Sequence, residues 1–364
     1  MIHPFYLLII SFLCLIACEQ NVKEKATPIS NNKNKAIGDT LENSYAEAFR
    51  IIQFDDKSQL EILEPMSKKV IASYSYGAEN NSFESDRIIA LSATHISMME
   101  KLGLLDQLIG IASADYLCSE EVIKRHKKKR IATVGDLSTA DIEHIVSLEP
   151  SIVIFSGFNL SSPLLSKLEK SNVPTLINFD WKETHPLGRA EWIKVFGLIA
   201  NKIELANEIF DGIKKRYETV AKTANLESLP TVFAGTLYGD VFNAPAGESY
   251  FAQLLKDAQV EYRYADTRGT ASISLSIEEV IHDNETTDFW LNPAAKNKND
   301  IIRMNPLFQR LRAFKNNQIY SYYKNVNCFW ERSIVEPDVL LQEIKTFFHS
   351  TDTIKWNYYH RLNN

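Results

Sequence analysis

Two short segments of this chain, 135 residues apart, carry one local pattern. Asp141-Ile142-Glu143-His144-Ile145-Val146 leads into the apolar stretch Ser151-Ile152-Val153-Ile154-Phe155. Ser276-Ile277-Glu278-Glu279-Val280-Ile281 leads, after a polar loop, into Asp288-Phe289-Trp290-Leu291. Each reads as an N-cap residue, a short helix with glutamate at its second position, then a buried strand. A chain that repeats this unit is expected to fold as two similar lobes, each presenting one carboxylate on the same element. Glu143 and Glu278 then form a matched pair of acidic knobs, an arrangement suited to docking rather than to catalysis. The bland alternative is dipole complementation, since an acidic first turn gains roughly 0.3–1 kcal/mol. Glu279, third in its helix after Ser276, reads as half of a capping box.

The rest of the chain alternates in the same way. Residues 46–73 read as a leading β-hairpin turning at Asp55-Asp56-Lys57-Ser58. From Arg87 onward, strands at 88–91, 108–112, 151–155 and 174–179 alternate with helical segments. Strands separated by helices imply a mainly parallel sheet covered on both faces. Leu187 to Ala200 reads as one helix and Lys202 to Ala224 as a longer one. Its apolar stripe runs Ile199, Ile203, Ala206, Phe210, Ile213, Tyr217, Val220. At 1.5 Å per residue the longer helix spans roughly 35 Å, enough to hold two units apart. Alternation resumes at Thr231 and closes with a helix from Pro337 to His349. The fold class is therefore α/β: two lobes with mainly parallel sheets, joined by a long rigid helix. The expected division is an N-terminal lobe over 46–185, connecting helices over 186–225, and a C-terminal lobe over 226–364.

The N-terminus bears on the compartment. Phe5 to Ala17 is an apolar run of 13 residues interrupted only by Ser11. That is short of the roughly 20 residues a bilayer span needs but fits a signal-peptide core over residues 1–17. It ends Leu15-Ile16-Ala17-Cys18, which resembles a bacterial lipobox with Cys18 as the lipidated mature terminus. Residues 18–45 are polar and read as a flexible tether. A net charge of −6 argues against a nucleic-acid partner. The basic run Lys124 to Arg130 reads as a solvated loop.

Signatures of phosphate-binding loops, nucleophile elbows, zinc proteases and dinucleotide folds are absent, so no cofactor is expected and no nucleophile–base pair stands out. Gly235 and Gly239 flank Tyr238 in what reads as a ligand-facing loop. Five segments carry a family resemblance: RIIALSATHISMMEKLGLLDQLIGIAS, VGDLSTADIEHIVSLEPSIVIFSG, PLGRAEWIKVFGLIANKIELANEIFDGIKKRYE, GESYFAQLL and WERSIVEPDVLLQEI. Over about residues 86–349 the chain resembles the periplasmic substrate-binding proteins of ABC importers for iron–siderophores, haem and cobalamin. The resemblance implies a bilobed fold with a ligand cleft between the lobes. It also implies one exposed glutamate per lobe for docking on the permease dimer, at Glu143 and Glu278.

By the same resemblance the cleft loops hold His95, Tyr116, Asp136, Phe158, Trp181, Tyr238, Phe242, Arg268 and Trp330, with Trp290 more suited to the core. Aromatics there stack on a flat macrocycle or catecholate, or pack inside the lobes, and Arg268 suits an anionic group. His95, near a helix start, either caps that helix or meets iron or cobalt; the cap is the simpler reading, and no metal site of the protein's own is expected. Cobalamin-binding relatives tend to carry cleft tryptophans where this chain has Ala114, Leu137 and Ser272. Cys118 and Cys328 border the cleft in the family's arrangement; two free thiols are expected, with a bridge across the lobes as the alternative. The implied function is capture of a metal chelate or corrinoid by a monomeric, lipid-anchored periplasmic protein that performs no chemistry. The alternatives are a surface scavenging lipoprotein without a permease and an oxidoreductase-like enzyme on the same scaffold, the latter disfavoured by the lack of cysteine ligands.

Overall fold

The computed structural model describes residues 39–77, 86–136, 138–158, 162–222, 229–349 and 356–363. The expected signal peptide, Cys18 and most of the tether lie outside these, as does Leu137. Among the described residues no helix is long and apolar enough to cross a membrane.

The expected hairpin is present as β2 (Phe49–Gln53) and β3 (Lys57–Leu63), closed by the Phe54 N–H donating to the Lys57 carbonyl at 2.8 Å. It belongs to something larger. β1 (Asp39–Leu41) and β4 (Val70–Gly77) flank it in an antiparallel sheet of order β1-β2-β3-β4. Residues 39–45 are therefore not tether: β1 pairs with β2, and the backbone of 44–45 is held by a buried carboxylate described below. Alternation along β2 and β3 turns Phe49, Ile51, Leu60 and Ile62 into the main core.

The first lobe is a parallel sheet of order β7-β6-β5-β8-β9. Its strands are β5 (Ile88–Ala90), β6 (Leu108–Ile111), β7 (Ala132–Thr133), β8 (Ile152–Ser156) and β9 (Thr175–Asn178). β5 and β8 are buried at every position, as a strand covered on both faces must be. The covering helices are α1 (Ala93–Lys101), α2 (Glu120–Lys127), α3 (Ile142–Ser147) and α4 (Pro163–Lys170). The basic run expected as a loop is largely in α2. Ser119 Oγ accepts from the Val122 N–H, Glu120 and Glu121 fill the first turn, and Lys124 to Lys127 fill the last. That order of charge complements the helix dipole at both ends.

Three helices connect the lobes: α5 (Pro186–Glu191), α6 (Ile193–Ile199) and α7 (Ile203–Lys222). The single helix expected over 187–200 is divided at Trp192, whose indole Nε1 is drawn to Glu183 at 2.9 Å. α7 buries Ala206, Phe210, Ile213 and Tyr217, the stripe read from the sequence. Its 20 residues give about 30 Å.

The second lobe contains β10 (Thr231–Ala234), β11 (Thr236–Tyr238), β12 (Val241–Pro245), α8 (Tyr250–Asp257), β13 (Glu261–Tyr262) and β14 (Ser272–Leu275). Then follow α9 (Ile277–Asn284), β15 (Phe289–Leu291), α10 (Lys298–Met304), α11 (Arg312–Lys315) and β16 (Ile319–Ser321). α12 (Val326–Arg332), α13 (Pro337–His349) and β17 (His360–Arg361) complete it. Its main sheet, β13-β10-β15-β16-β17, is parallel except for the last pair. A small antiparallel sheet, β11-β12-β14, stands beside it and had no counterpart in the sequence reading.

The repeated cap–helix–strand unit is present twice. Asp141 Oδ1 accepts from the His144 N–H at the start of α3, which leads to β8. Ser276 and Glu279 form the reciprocal capping box of α9, which leads to β15.

Candidate functional site

Open α/β sheets bind ligands beyond the carboxyl ends of their strands, and the cleft between the lobes is built there. A cavity of about 500 Å³ is lined by Phe158 and Trp181 from the loops after β8 and β9, by Arg189 of α5, and by a second-lobe wall. That wall includes Thr236, Asn243, Tyr250, Ser272, Asn292, Tyr322, Phe329 and Trp330. Backbone shape makes room for it. A Cβ on Gly157 would fall 2.2 Å from the Phe179 ring, so this loop can pass Phe179 only as glycine. Gly235, at φ +135°, ends β10; a Cβ there would meet the Asn243 carbonyl at 2.3 Å.

Aromatic faces dominate the lining. Phe158 stacks on Trp181 with centroids 4.3 Å apart, and Tyr322 stacks on Phe329 at 3.9 Å with Trp330 set edge-on at 5.7 Å. Phe158 is 67% exposed and Trp330 45%, so each ring keeps surface open beside the cavity. At the floor, Arg189 is only 6% exposed. Its guanidinium lies over the Tyr250 ring at 4.1 Å, and its Nε has no hydrogen-bond partner. Trp181 Nε1 is likewise buried and unpartnered. Both are donors without a protein acceptor, carried by two residues that line the cavity. Beneath them, burial pushes the Asp180 carboxyl above the usual carboxylate range. The Arg189 charge and a 2.7 Å hydrogen bond from Thr94 oppose that shift.

Of the residues expected in the cleft, Phe158, Trp181 and Trp330 line this cavity. Asp136 and Tyr116 line a neighbouring recess of about 450 Å³ on the first lobe. Asp136 Oδ1 is engaged by the N–H and hydroxyl groups of Ser138 and Thr139, which hold its carboxyl below the usual range. Four expectations are corrected. His95 is fully buried on the core face of α1, 5.6 Å from Phe196, where it neither caps the helix nor reaches the cleft. Phe242 points inward from β12 among Phe233, Trp290 and Phe308, so its expected place in the cleft is taken by core packing. Tyr238, 84% exposed, sits at the tip of the β11–β12 hairpin opposite Val241, away from the cavity lining. Arg268 is exposed on a loop outside that lining, and the cleft's buried cation is Arg189. Arg189, Tyr250, Tyr322 and Phe329 were not singled out by sequence, although Arg189 and Tyr250 lie inside the segments that carry the resemblance. Trp290 is buried in the core as expected, its Nε1 donating to the Gly235 carbonyl at 3.0 Å.

The two thiols expected to be free are bridged. Cys118 and Cys328 form a disulfide with Cα atoms 4.8 Å apart, across 210 residues of sequence. Sequence separation carries no information on this proximity; α12 of the second lobe packs against α1 of the first and brings Cys328 to the 115–119 loop. The seam is reinforced on both sides of the bridge. Asn327 Nδ2 donates to the carbonyls of Asp115 (2.8 Å) and Leu117 (3.3 Å), and the Cys118 N–H donates to Glu331 at 2.6 Å. Lys101 meets Glu336 at 2.9 Å. Burial and the nearby Glu100 charge push Glu331 up to about 7.

Glu143 and Glu278 are exposed in the first turns of α3 and α9. Neither has an ion-pair partner among the described residues. No group of three or more His, Cys, Asp or Glu disposed to hold a metal ion occurs among the described residues.

Known proteins share this architecture. A curated relative, an uncharacterised lipoprotein of Methanocaldococcus jannaschii, is 22% identical over 275 residues, 72% of this chain. The match spans 65% of that protein, just under two thirds of its length. Among solved structures, a periplasmic haem-binding protein of Vibrio cholerae superposes with TM-score 0.60 at 16% identity. It covers 73% of this chain and all of that one. An ABC-type Fe3+-hydroxamate transport system of Saccharomonospora viridis superposes with TM-score 0.56 at 19% identity, over 77% and 97% of the two chains. At such identities the likeness speaks to the fold. The family model of periplasmic binding proteins matches residues 88–326, well over half of the sequence; the chain belongs to the periplasmic binding protein family.

Proposed function

We propose that this protein is the lipid-anchored substrate-binding component of an ABC importer, which captures a metal chelate or corrinoid between its lobes and delivers it to a permease dimer. The observation that carries the reading is the interlobe cavity itself: aromatic walls beside Trp181 and the buried Arg189, each with a buried N–H that has no protein acceptor. Stacked aromatic faces suit a flat or conjugated ligand body. A guanidinium held out of water favours an anionic group, because low dielectric strengthens the attraction and the cation is already desolvated. Within the class, an anionic chelate such as haem or a ferric catecholate therefore fits better than a ligand without net charge. Cys18 supplies the lipid anchor in this reading, and Glu143 and Glu278 supply one docking carboxylate per lobe.

The test is visible-absorbance titration of residues 19–364 with haemin, a ferric catecholate, a ferric hydroxamate and cobalamin. Arg189→Ala is expected to weaken binding of the anionic ligands roughly 10–100-fold, the worth of a charged hydrogen bond of about 1.5–3 kcal/mol, and to leave cobalamin unaffected. Failure of all four to bind refutes the proposed ligand class.

A further inference from the structure

The antiparallel sheet β1–β4 lies outside the part of the chain that matches the family, and one short segment joins it to the cleft. Residues 183–192 follow the 3-10 helix Asp180–Lys182, which holds Trp181, and include α5, which holds Arg189. Two carboxylates bracket that segment. Glu183 accepts from the N–H groups of Glu47 (2.8 Å) and Ala48 (3.1 Å) and from Trp192 Nε1. Glu191 accepts from those of Ser44 (2.9 Å), Tyr45 (2.8 Å) and Ala46 (2.8 Å) and from Lys194 Nζ (2.7 Å). Both carboxylates are buried.

Five consecutive backbone donors at the entry to β2 are thus satisfied by two side chains of the cleft-floor segment. Rings close the same joint: Tyr45 lies 4.5 Å from His185, and Phe49 meets Trp192 edge-on at 4.9 Å. The fit leaves no spare room. A Cβ on Gly188 would stand 3.0 Å from the Tyr45 carbonyl and 3.3 Å from Glu183 Oε2.

We propose that the sheet β1–β4 is a brace for the ligand cleft, and that Glu183 and Glu191 are positioning residues through which it fixes Trp181 and Arg189. Without the brace, the segment that ends at Trp192 loses its outer partner, and the two floor donors lose the geometry that lets them act on one ligand. The inference rests on the proposed role of the cavity as the binding site. Its physical content, however, is a coupling between the sheet and residues 180–191 that exists without ligand.

The test compares wild type with Glu183→Gln/Glu191→Gln and, as a second variant that keeps both carboxylates, Gly188→Ala. Glu61→Gln is the control, since Glu61 pairs with Arg50 on the same sheet away from the joint. Hydrogen exchange is followed in the ligand-free proteins, and haemin is titrated as the probe. Residues 39–77 and 180–191 are expected to lose protection together, at least tenfold, in both joint variants. The β5, β8, β10 and β15 amides keep theirs, haemin binds at least tenfold more weakly, and the control matches wild type. The proposal is overturned if 39–77 becomes labile while 180–191 keeps wild-type protection and haemin affinity stays within twofold. It is also overturned if protection falls across all the sheets, which would make the joint a support of the whole fold. If wild type binds no haemin, the ligand assignment fails for that probe, and exchange at 180–191 alone decides the brace.

Discussion

Replacing both seam cysteines, Cys118→Ser/Cys328→Ser, isolates the covalent part of the interlobe contact. Serine keeps the backbone N–H of residue 118 that donates to Glu331, and Asn327 keeps its two carbonyl partners. What is lost is the constraint on the unfolded chain. Closing a loop across 210 residues is worth about 5 kcal/mol by chain entropy alone, and measured losses fall at or below that figure. Because the seam's hydrogen bonds survive the substitution, the expected destabilisation is about 3–5 kcal/mol, not more. Urea unfolding of the oxidised protein, followed by far-ultraviolet circular dichroism, reads it as a lower midpoint. Wild type treated with dithiothreitol should follow the double variant. Thiol counting on unfolded, unreduced wild type should return no reactive sulfur among these two positions. Coincident midpoints for wild type and variant, or two free thiols in the wild type, would refute the reasoning.

The other expectations concern the docking carboxylates, the anchor and the buried imidazole. Glu143→Ala/Glu278→Ala should reduce reconstituted uptake at least tenfold while ligand affinity stays within about threefold, with lysine at both positions worse because like charges would then face the permease arginines that the family resemblance implies; normal uptake removes the docking role. Cys18→Ala should leave the membrane fraction for the soluble one and bind ligand as wild type does, and pelleting after a high-salt wash contradicts the lipobox. His95 is held at about 3 by burial, opposed by the Ile154 carbonyl, against about 6.5 unfolded. Its contribution is therefore complete above pH 6.5 and drains away as pH falls toward 3, by about 2 kcal/mol between pH 6.5 and 5. His95→Leu should flatten that part of the urea stability profile, and an unchanged acid slope argues against the buried neutral ring.

Periodicity and capping were legible because they are local. The stripe on α7, the capping box at Ser276 and Glu279, and the closing helix from Pro337 to His349 each depend on residues within a few turns of one another. Long-range placement was not legible. His95 and Phe242 are ordinary cleft candidates by type, and only helix rotation about α1 and strand alternation along β12 turn them inward. Arg268 and Arg189 are equally cationic in sequence; the difference is that α5 is buried at every position and carries Arg189 beneath the cavity. The basic run is largely exposed to solvent, as its composition implies, but Lys124 to Lys127 are helical and not part of a loop. A Ser119 cap with acidic residues before basic ones is a helix signature that composition alone obscures. The Cys118–Cys328 bridge and the joint at residues 44–48 are contacts across 210 and more than 130 residues, where no local rule applies.

Three ties act on one cleft: the connecting helices, the disulfide seam and the brace. Their combined effect is on the entropy of binding rather than on contact energy. A pair of lobes free to rotate must be ordered when ligand arrives, and each immobilised, rotamer-rich side chain adds roughly 0.5–1.5 kcal/mol to that cost. Here much of the ordering is complete in the folded protein. Arg189 is already stacked on Tyr250, Phe158 on Trp181 and Tyr322 on Phe329. The free protein therefore already carries the unsatisfied donors and exposed rings that a ligand must complement, which favours selectivity for shape and charge over adaptability. It also bears on the spacing of Glu143 and Glu278, because the Cys118–Cys328 bridge ties together the lobes that carry α3 and α9. If these two carboxylates dock on a permease as proposed, the seam limits how far their separation changes between the empty and the loaded protein. Discrimination between loaded and empty forms would then rest on small movements at the cleft, where Phe158 and Trp330 present exposed rings.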